Sequence, residues 1–149
     1  MTDKVLVDAS FLVVQLDERD VHHRAARALH EEFRAREAAY IYLDFVVNET
    51  VTVLARRARE RKLESKPIIR RVRSELPVAQ LAWTGSEVPR LWERALDTLE
   101  EHQGHLSLND CLLTLIAQEG GVQWVASFDK GFDRVPGIKR IGKAADFHT

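Results

Sequence analysis

Hydrophobic and polar positions alternate along this chain in two registers, short apolar runs and longer helical stripes. Val5-Leu6-Val7 is a β-branched run that stops at Asp8 and reads as a buried strand. Ser10 is placed to cap the apolar segment Phe11-Leu-Val-Val-Gln-Leu16, which Asp17-Glu-Arg-Asp20 interrupts. Ala25, Ala26, Leu29 and Phe33 then recur at helical spacing with charges on the other side. Residues 38–43 form a second strand, and Asp44 is placed to cap the helix after it. In that helix Val47, Val51, Leu54 and Ala58 make one stripe, widened by Val46 and Val53. Residues 78–83 read as a third strand, and Ser86-Glu-Val-Pro opens a helix carrying Leu91, Ala95, Leu96 and Leu99. A last helix, with Ser107 as N-cap and Asp110 in its first turn, stops at Gly120-Gly121. Residues 122–126 follow as a buried strand, and residues 138–141 as an edge strand.

Strands alternating with helices predict an α/β fold: a parallel sheet covered by helices on both faces. The 149 residues fit one domain, with no repeat or linker to divide it. In such a sheet Asp8 and Asp129 leave their strands at the same carboxyl edge, where open α/β sheets place their sites.

Charge changes the picture only through its distribution. The net charge is −1, yet Arg56, Arg57, Arg59, Arg61, Lys62, Lys66, Arg70, Arg71 and Arg73 are offset nearby only by Glu60 and Glu64. With a break at Pro67 this segment reads as two helical pieces forming a cationic ridge, either a phosphate-binding surface or a solvated helix face. A single cysteine, Cys111, excludes an internal disulfide framework and suits a reducing cytosol. The apolar run near the start is short, holds Asp8 and lacks a cleavage motif, so a cytoplasmic protein without membrane attachment is expected. His22, His23 and His30 fall in or before one helix and read as solvated. His102, His105 and Cys111 lack the further ligands of a zinc site.

The acids carry the chemistry. At about 100° per residue, Glu49 lies about 60° from Val46 and about 40° from Val53, at the edge of the buried face. A carboxylate there needs a partner, an arginine or a metal site. Asp8, Glu49, Asp110 and Asp129, with Asp133 nearby, would repel one another in one pocket and raise one another's pKa values. A divalent cation resolves that repulsion, and ligands that are all oxygen select Mg2+ or Mn2+. Such a centre hydrolyses phosphodiesters, so a nucleic acid backbone is the economical substrate beside an arginine-rich ridge. Ser10, Asn109 and Ser127 are placed to orient carboxylates or water.

Val-Asp8-Ala-Ser10 after the first strand, Asn-Glu49 in a Val-rich helix, Ser-Leu-Asn-Asp110-Cys-Leu-Leu, and Ser-Phe-Asp129-Lys-Gly-Phe together resemble the PIN-domain ribonucleases, most of all the VapC-type toxins of toxin–antitoxin pairs. The resemblance spans nearly the whole chain. It implies a three-layer α/β/α fold with a central parallel sheet and a Mg2+-dependent endoribonuclease, with Mn2+ as the substitute ion. It also implies an RNA substrate, a homodimer and a cognate antitoxin that covers the site. By motif, Asp8, Glu49, Asp110 and Asp129 match the catalytic quartet, with Asp8, Asp110 and Asp129 as metal ligands. Ser10 and Ser127 match the supporting hydroxyls and Asp133 an additional acid, while Arg56, Arg57, Arg70 and Arg71 are the candidate RNA contacts. Asp44 stands where Ser or Thr often precedes the second acidic helix. A catalytically silent RNA-binding or scaffold protein is the alternative, but none of the four acids is missing. Receiver domains and aspartate-nucleophile phosphatases fit worse, because Ser10 and Trp83-Thr84 stand where those families need acids.

Overall fold

The computed structural model describes residues 3–148. Five strands, β1 (Lys4–Val7), β2 (Ala39–Leu43), β3 (Leu81–Ala82), β4 (Trp124–Ala126) and β5 (Lys139–Ile141), form one sheet in the order β3-β2-β1-β4-β5. Every pairing is parallel: Val5 lies beside Tyr40 on one side and Trp124 on the other, and Val7 lies beside Ala126. The chain moves outward from β1 to β3, then returns to build β4 and β5 on the opposite side of β1. The winding reverses between β1 and β4, so their carboxyl ends flank the crevice in which such sheets hold ligands.

Six helices among the described residues cover the sheet: α1 (Ala9–Leu16), α2 (His23–Ala35), α3 (Asp44–Glu60), α4 (Lys66–Glu75), α5 (Glu87–Glu101) and α6 (Leu108–Glu119). Helix α1 packs on α2 and α3, and α3 on α4, while α5 and α6 pack together, giving the expected three-layer α/β/α architecture. Helix α1 is apolar on nearly every side because it is enclosed all round: every residue but Ser10 is buried, Gln15 being the one polar side chain among them. Phe11 and Leu12 are fully inaccessible, and each such side chain contributes about 1.5–3 kcal/mol by leaving water. Helix α6 buries Cys111, Leu112, Leu113, Leu115 and Ala117. Two rigid helices therefore run from the crevice into the core, each with an acid at its amino end. No helix among the described residues is long and apolar enough to cross a membrane.

Local chemistry differs from expectation at four places. Ser10 lies inside the first turn of α1 and does not cap it; Asp8 takes the N-cap position, the ordinary role for an acid there, and the Ser10 hydroxyl bonds Asp8. Leu43 precedes α3, and Asp44 is its first residue; the Asp44 carboxylate accepts from Phe45 N–H (2.9 Å) and from the Thr84 hydroxyl (2.9 Å), tying β3's exit to the helix. The third strand is only two residues long. Pro77 starts a 3-10 turn over Val78–Gln80, and Val78 and Trp83 lie exposed on the sheet's edge with no core to hold them extended. The break in the basic segment falls at Lys62, in the left-handed region (φ 56°), while Pro67 sits in the first turn of α4, where a missing N–H is harmless.

Candidate active site

Asp8 leaves β1 as that strand ends and is 5% exposed. Its Oδ2 accepts hydrogen bonds from Ser10 Oγ (2.8 Å) and Ser127 Oγ (2.7 Å). Each hydroxyl has one proton and directs it at Asp8, so the 3.1 Å approach between the two oxygens is a contact of acceptors. Those oxygens in turn accept backbone N–H groups: Ser10 from Phe128 (3.1 Å) and Ser127 from Asp129 (2.9 Å). The network locks the ends of β1 and β4 together and orients a carboxylate that water scarcely reaches.

Asp110 is the partner of Asp8. It occupies the third position of α6 and closes a capping box: Ser107 Oγ accepts from Asp110 N–H (3.1 Å), and the Asp110 carboxylate accepts from Ser107 N–H (3.2 Å). Asp110 is 7% exposed. Burial, then the negative charge of Asp8, push its pKa up to about 7, and a hydrogen bond shared with Asp8 adds to the rise against the opposing Ser107 bonds. Near neutral pH the pair holds a proton that an isolated aspartate would have lost. Burial and the neighbouring Asp110 charge likewise raise the Cys111 thiol to about 11, so Cys111 is an inert core residue.

The other acids are set farther apart. Asp129 caps the 3-10 turn Lys130–Arg134 and accepts from Gly131 N–H (2.8 Å). Gly131 is required by close approach: a Cβ there would lie 2.6 Å from the His105 carbonyl oxygen, so this turn packs directly on the segment leading into α6. Glu49 is exposed, not at a buried edge, because Thr50 takes the buried position on α3. Asn109 Nδ2 donates to Glu49 Oε2 (3.1 Å) and draws that carboxylate toward α6, one residue from Asp110. Asp133 is held by Arg140 through two bonds (2.9 and 3.2 Å), and Arg140 also reaches the Ser127 carbonyl (3.3 Å). Asp133 thus meets the site through Arg140. Among the described residues no three His, Cys, Asp or Glu side chains are already drawn into one metal-ligand cluster. The donor set nevertheless fits a hard divalent cation, since two buried carboxylates in contact leave repulsion that such an ion relieves.

The basic ridge divides. Arg57 binds Asp17 (2.8 Å) and Asp20 (2.9 Å), and Arg61 binds both oxygens of Asp17 (2.9 and 3.0 Å). Arg71 bonds the Leu16 carbonyl (2.8 Å) and Glu18. These side chains fasten α3 and α4 to the loop after α1, an arrangement the sequence reading did not find because Asp17 and Asp20 looked like a polar break. Arg56 lies 3.8 Å from Glu60 within α3, and Arg70 is exposed on α4. A second unforeseen feature stands at the rim, where His22 stacks on Phe128 (centroids 5.8 Å apart) and Phe128 on Phe11 (5.5 Å). Aromatic rings beside Asp129 carried no periodic signal.

Fold and site together define a three-layer α/β/α protein with paired acids at the switch point of its sheet. The PIN domain family matches residues 5–138, and the chain belongs to that family. Its fold is similar to that of the Mycobacterium tuberculosis sarcin-ricin loop cleaving toxin VapC20: 20% identity, a TM-score of 0.62, and coverage of 84% of this chain and 89% of that one. No curated protein sequence matches the chain.

Proposed function

We propose that this PIN-domain protein is a divalent-metal-dependent endoribonuclease, the toxin of a toxin–antitoxin pair. The observation that carries the reading is the contact of two nearly buried carboxylates, Asp8 and Asp110, at the sheet's switch point. Family membership and the VapC20-like fold support the same assignment. Asp8, Asp110 and Asp129 would hold Mg2+ or Mn2+, which supplies Lewis-acid stabilisation of the phosphate and an activated water. Ser10 and Ser127 keep the Asp8 carboxylate oriented with both hydroxyl protons. Ser107 fixes Asp110 at the helix end, and Asn109 holds Glu49 facing the crevice from the solvent side, where a carboxylate can accept a proton from water. The stack Phe11–Phe128–His22 ends in the exposed His22 ring, which offers a stacking surface for a base next to the scissile phosphate. Of the four candidate RNA contacts, Arg70 and Arg56 are the ones left to meet RNA, because Arg57 and Arg71 are engaged within the fold.

A homodimer and a cognate antitoxin belong to the same proposal. Trp92 and Leu96, exposed one turn apart on α5, are suitable contact material. The test is cleavage of RNA by the purified protein in Mg2+ or Mn2+, with Asp8→Asn and Asp110→Asn as controls. Loss of cleavage with RNA binding retained in both variants is expected. Wild-type binding without cleavage of any RNA in either ion favours a silent RNA-binding module.

A further inference from the structure

A cavity of about 480 Å³ lies between α1, α2, α4 and β2 and is lined by Gln15, Arg27, His30, Tyr40, Tyr42, Glu75 and Gln80. It is away from the acids: Gln15 and Asp8 stand at opposite ends of α1, about 10 Å apart by helix rise. Its lining is unusual. Gln15 Oε1, His30 Nδ1, Tyr40 OH and Glu75 Oε2 are all buried without a hydrogen-bond partner in the protein. Native interiors leave only a few such groups per hundred residues, and here four line one cavity. Gln15 is 3% exposed, so its amide is committed to this space, with one hydrogen bond to the Tyr42 hydroxyl.

The lining specifies a ligand. Gln15 Oε1 and Glu75 Oε2 only accept, so at least two N–H or O–H donors must come from the ligand. Arg27, 3.7 Å from Glu75, has donor capacity to spare, and the Tyr40 hydroxyl proton also seeks an acceptor. Burial, then nearby Arg27, lower the His30 pKa. His30 stacks on Tyr40 (28°) and Tyr40 on Tyr42 (2°), so one wall is a row of nearly parallel rings. The volume lies in the range of small-molecule sites.

We propose that this cavity binds a nucleobase, guanine before the others. Guanine presents N1–H and one N2–H side by side for the Glu75 carboxylate, a second N2–H for Gln15 Oε1, and O6 and N7 as acceptors for Arg27 and the Tyr40 hydroxyl. Its flat ring suits the aromatic wall as unpaired RNA bases suit such surfaces. That the base belongs to an RNA substrate rests on the nuclease reading; free guanosine has the same chemistry and is the other source.

The experiment is calorimetric titration of the metal-free protein with guanosine, which needs no cleavage and so stands or falls apart from the nuclease reading. Saturable binding is expected, weakened at least about tenfold by Tyr40→Phe or Glu75→Gln, the loss set by one hydrogen-bonded edge contact. Adenosine, whose N1 accepts where guanine donates, should bind more weakly. An absence of saturable guanosine binding overturns the proposal and assigns the cavity to water. Equal binding of ribose 5-phosphate, or guanosine binding unchanged in both variants, overturns it too. A second arm separates the sources: Tyr40→Phe raises KM for RNA with kcat unchanged if the ligand is a substrate base, and leaves both unchanged if it is the free nucleoside.

Discussion

Ser127, buried just past the end of β4, donates its hydroxyl proton to Asp8 at the end of β1, across 2.7 Å of space and 119 residues of sequence. The same oxygen accepts the Asp129 N–H, so one side chain positions one acid and the backbone of another. Ser127→Ala leaves a buried carboxylate one donor short and strands that N–H. A loss of about 1–3 kcal/mol is expected in urea denaturation, with a fall in RNA cleavage larger than the stability loss explains. Ser127→Thr, keeping the hydroxyl, should restore most of the cleavage. Equal activity in wild type and Ser127→Ala would remove Ser127 from the site.

Asp110 makes apo stability depend on pH. Its pKa, raised to about 7 in the folded protein, lies above that of an unfolded aspartate, so the folded state binds the proton more tightly. Its contribution is fully present below the unfolded pKa and is lost as pH rises through the folded value. The metal-free melting temperature should therefore carry a component that declines between about pH 4 and pH 7. Asp110→Asn should lack that component and be as stable as wild type, or more so, at pH 7. A pH profile identical in the two proteins refutes the buried pair.

Divalent cations should reverse that decline. Millimolar Mn2+ or Mg2+ should raise the wild-type melting temperature at neutral pH by mass action, and Asp110→Asn should gain less. A wild-type melting curve indifferent to both ions argues against a cation between Asp8 and Asp110.

The two kinds of arginine are separable by salt. Arg57→Ala removes a guanidinium shared by Asp17 and Asp20, leaving nearly buried Asp17 with Arg61 alone. It should mainly destabilise the fold, by about 1–3 kcal/mol. Burial raises the Asp17 pKa, but the Arg61 and Arg57 hydrogen bonds outweigh it and hold the carboxyl below its ordinary value. The stability Asp17 contributes is thus present above its unfolded pKa and lost as pH falls through the lower folded one. Arg70→Ala should leave stability intact and flatten the log–log salt dependence of RNA binding by roughly 0.7–0.9. An unchanged slope assigns Arg70 to a solvated face.

Gly131→Ala tests how closely the Asp129 turn packs on α6's approach. The added Cβ meets the His105 carbonyl at 2.6 Å, and backbone must move. Destabilisation of about 1–3 kcal/mol is expected, together with weakened cleavage as the Asp129 carboxylate is displaced. Wild-type stability and activity in this variant would show that the turn yields freely.

Sequence patterning exposed the skeleton because each buried element is locally apolar. Val5-Leu6-Val7 has no other use for its side chains than a two-sided core, and the Gly120-Gly121 stop separates α6 from β4 without ambiguity. Ser107 and Asp110 were legible since a capping box is a contact within one helical turn. Long-range pairing was not. Nothing local announces that Asp17 takes Arg57 and Arg61, because ion pairs across forty residues depend on where helices land, and Arg140 reaches Asp133 across seven residues only because β5 folds back beside the Asp129 turn. Glu49 was misplaced by a helical wheel whose apolar arc is wider than the face that packs. The four stranded atoms around Tyr40 were invisible for the same reason: each comes from a different element.

The sheet order has a consequence for synthesis. Strand β1 is made first, but its neighbour β4 and the Ser127 hydroxyl come only after both helical layers have been translated. A chain still being made presents Asp8 with neither Asp110 nor Ser127 beside it, and contacts so distant in sequence form slowly. The paired acids and the hydroxyl that orients them therefore come together only near the end of synthesis, so the centre is among the last parts of the fold to be completed.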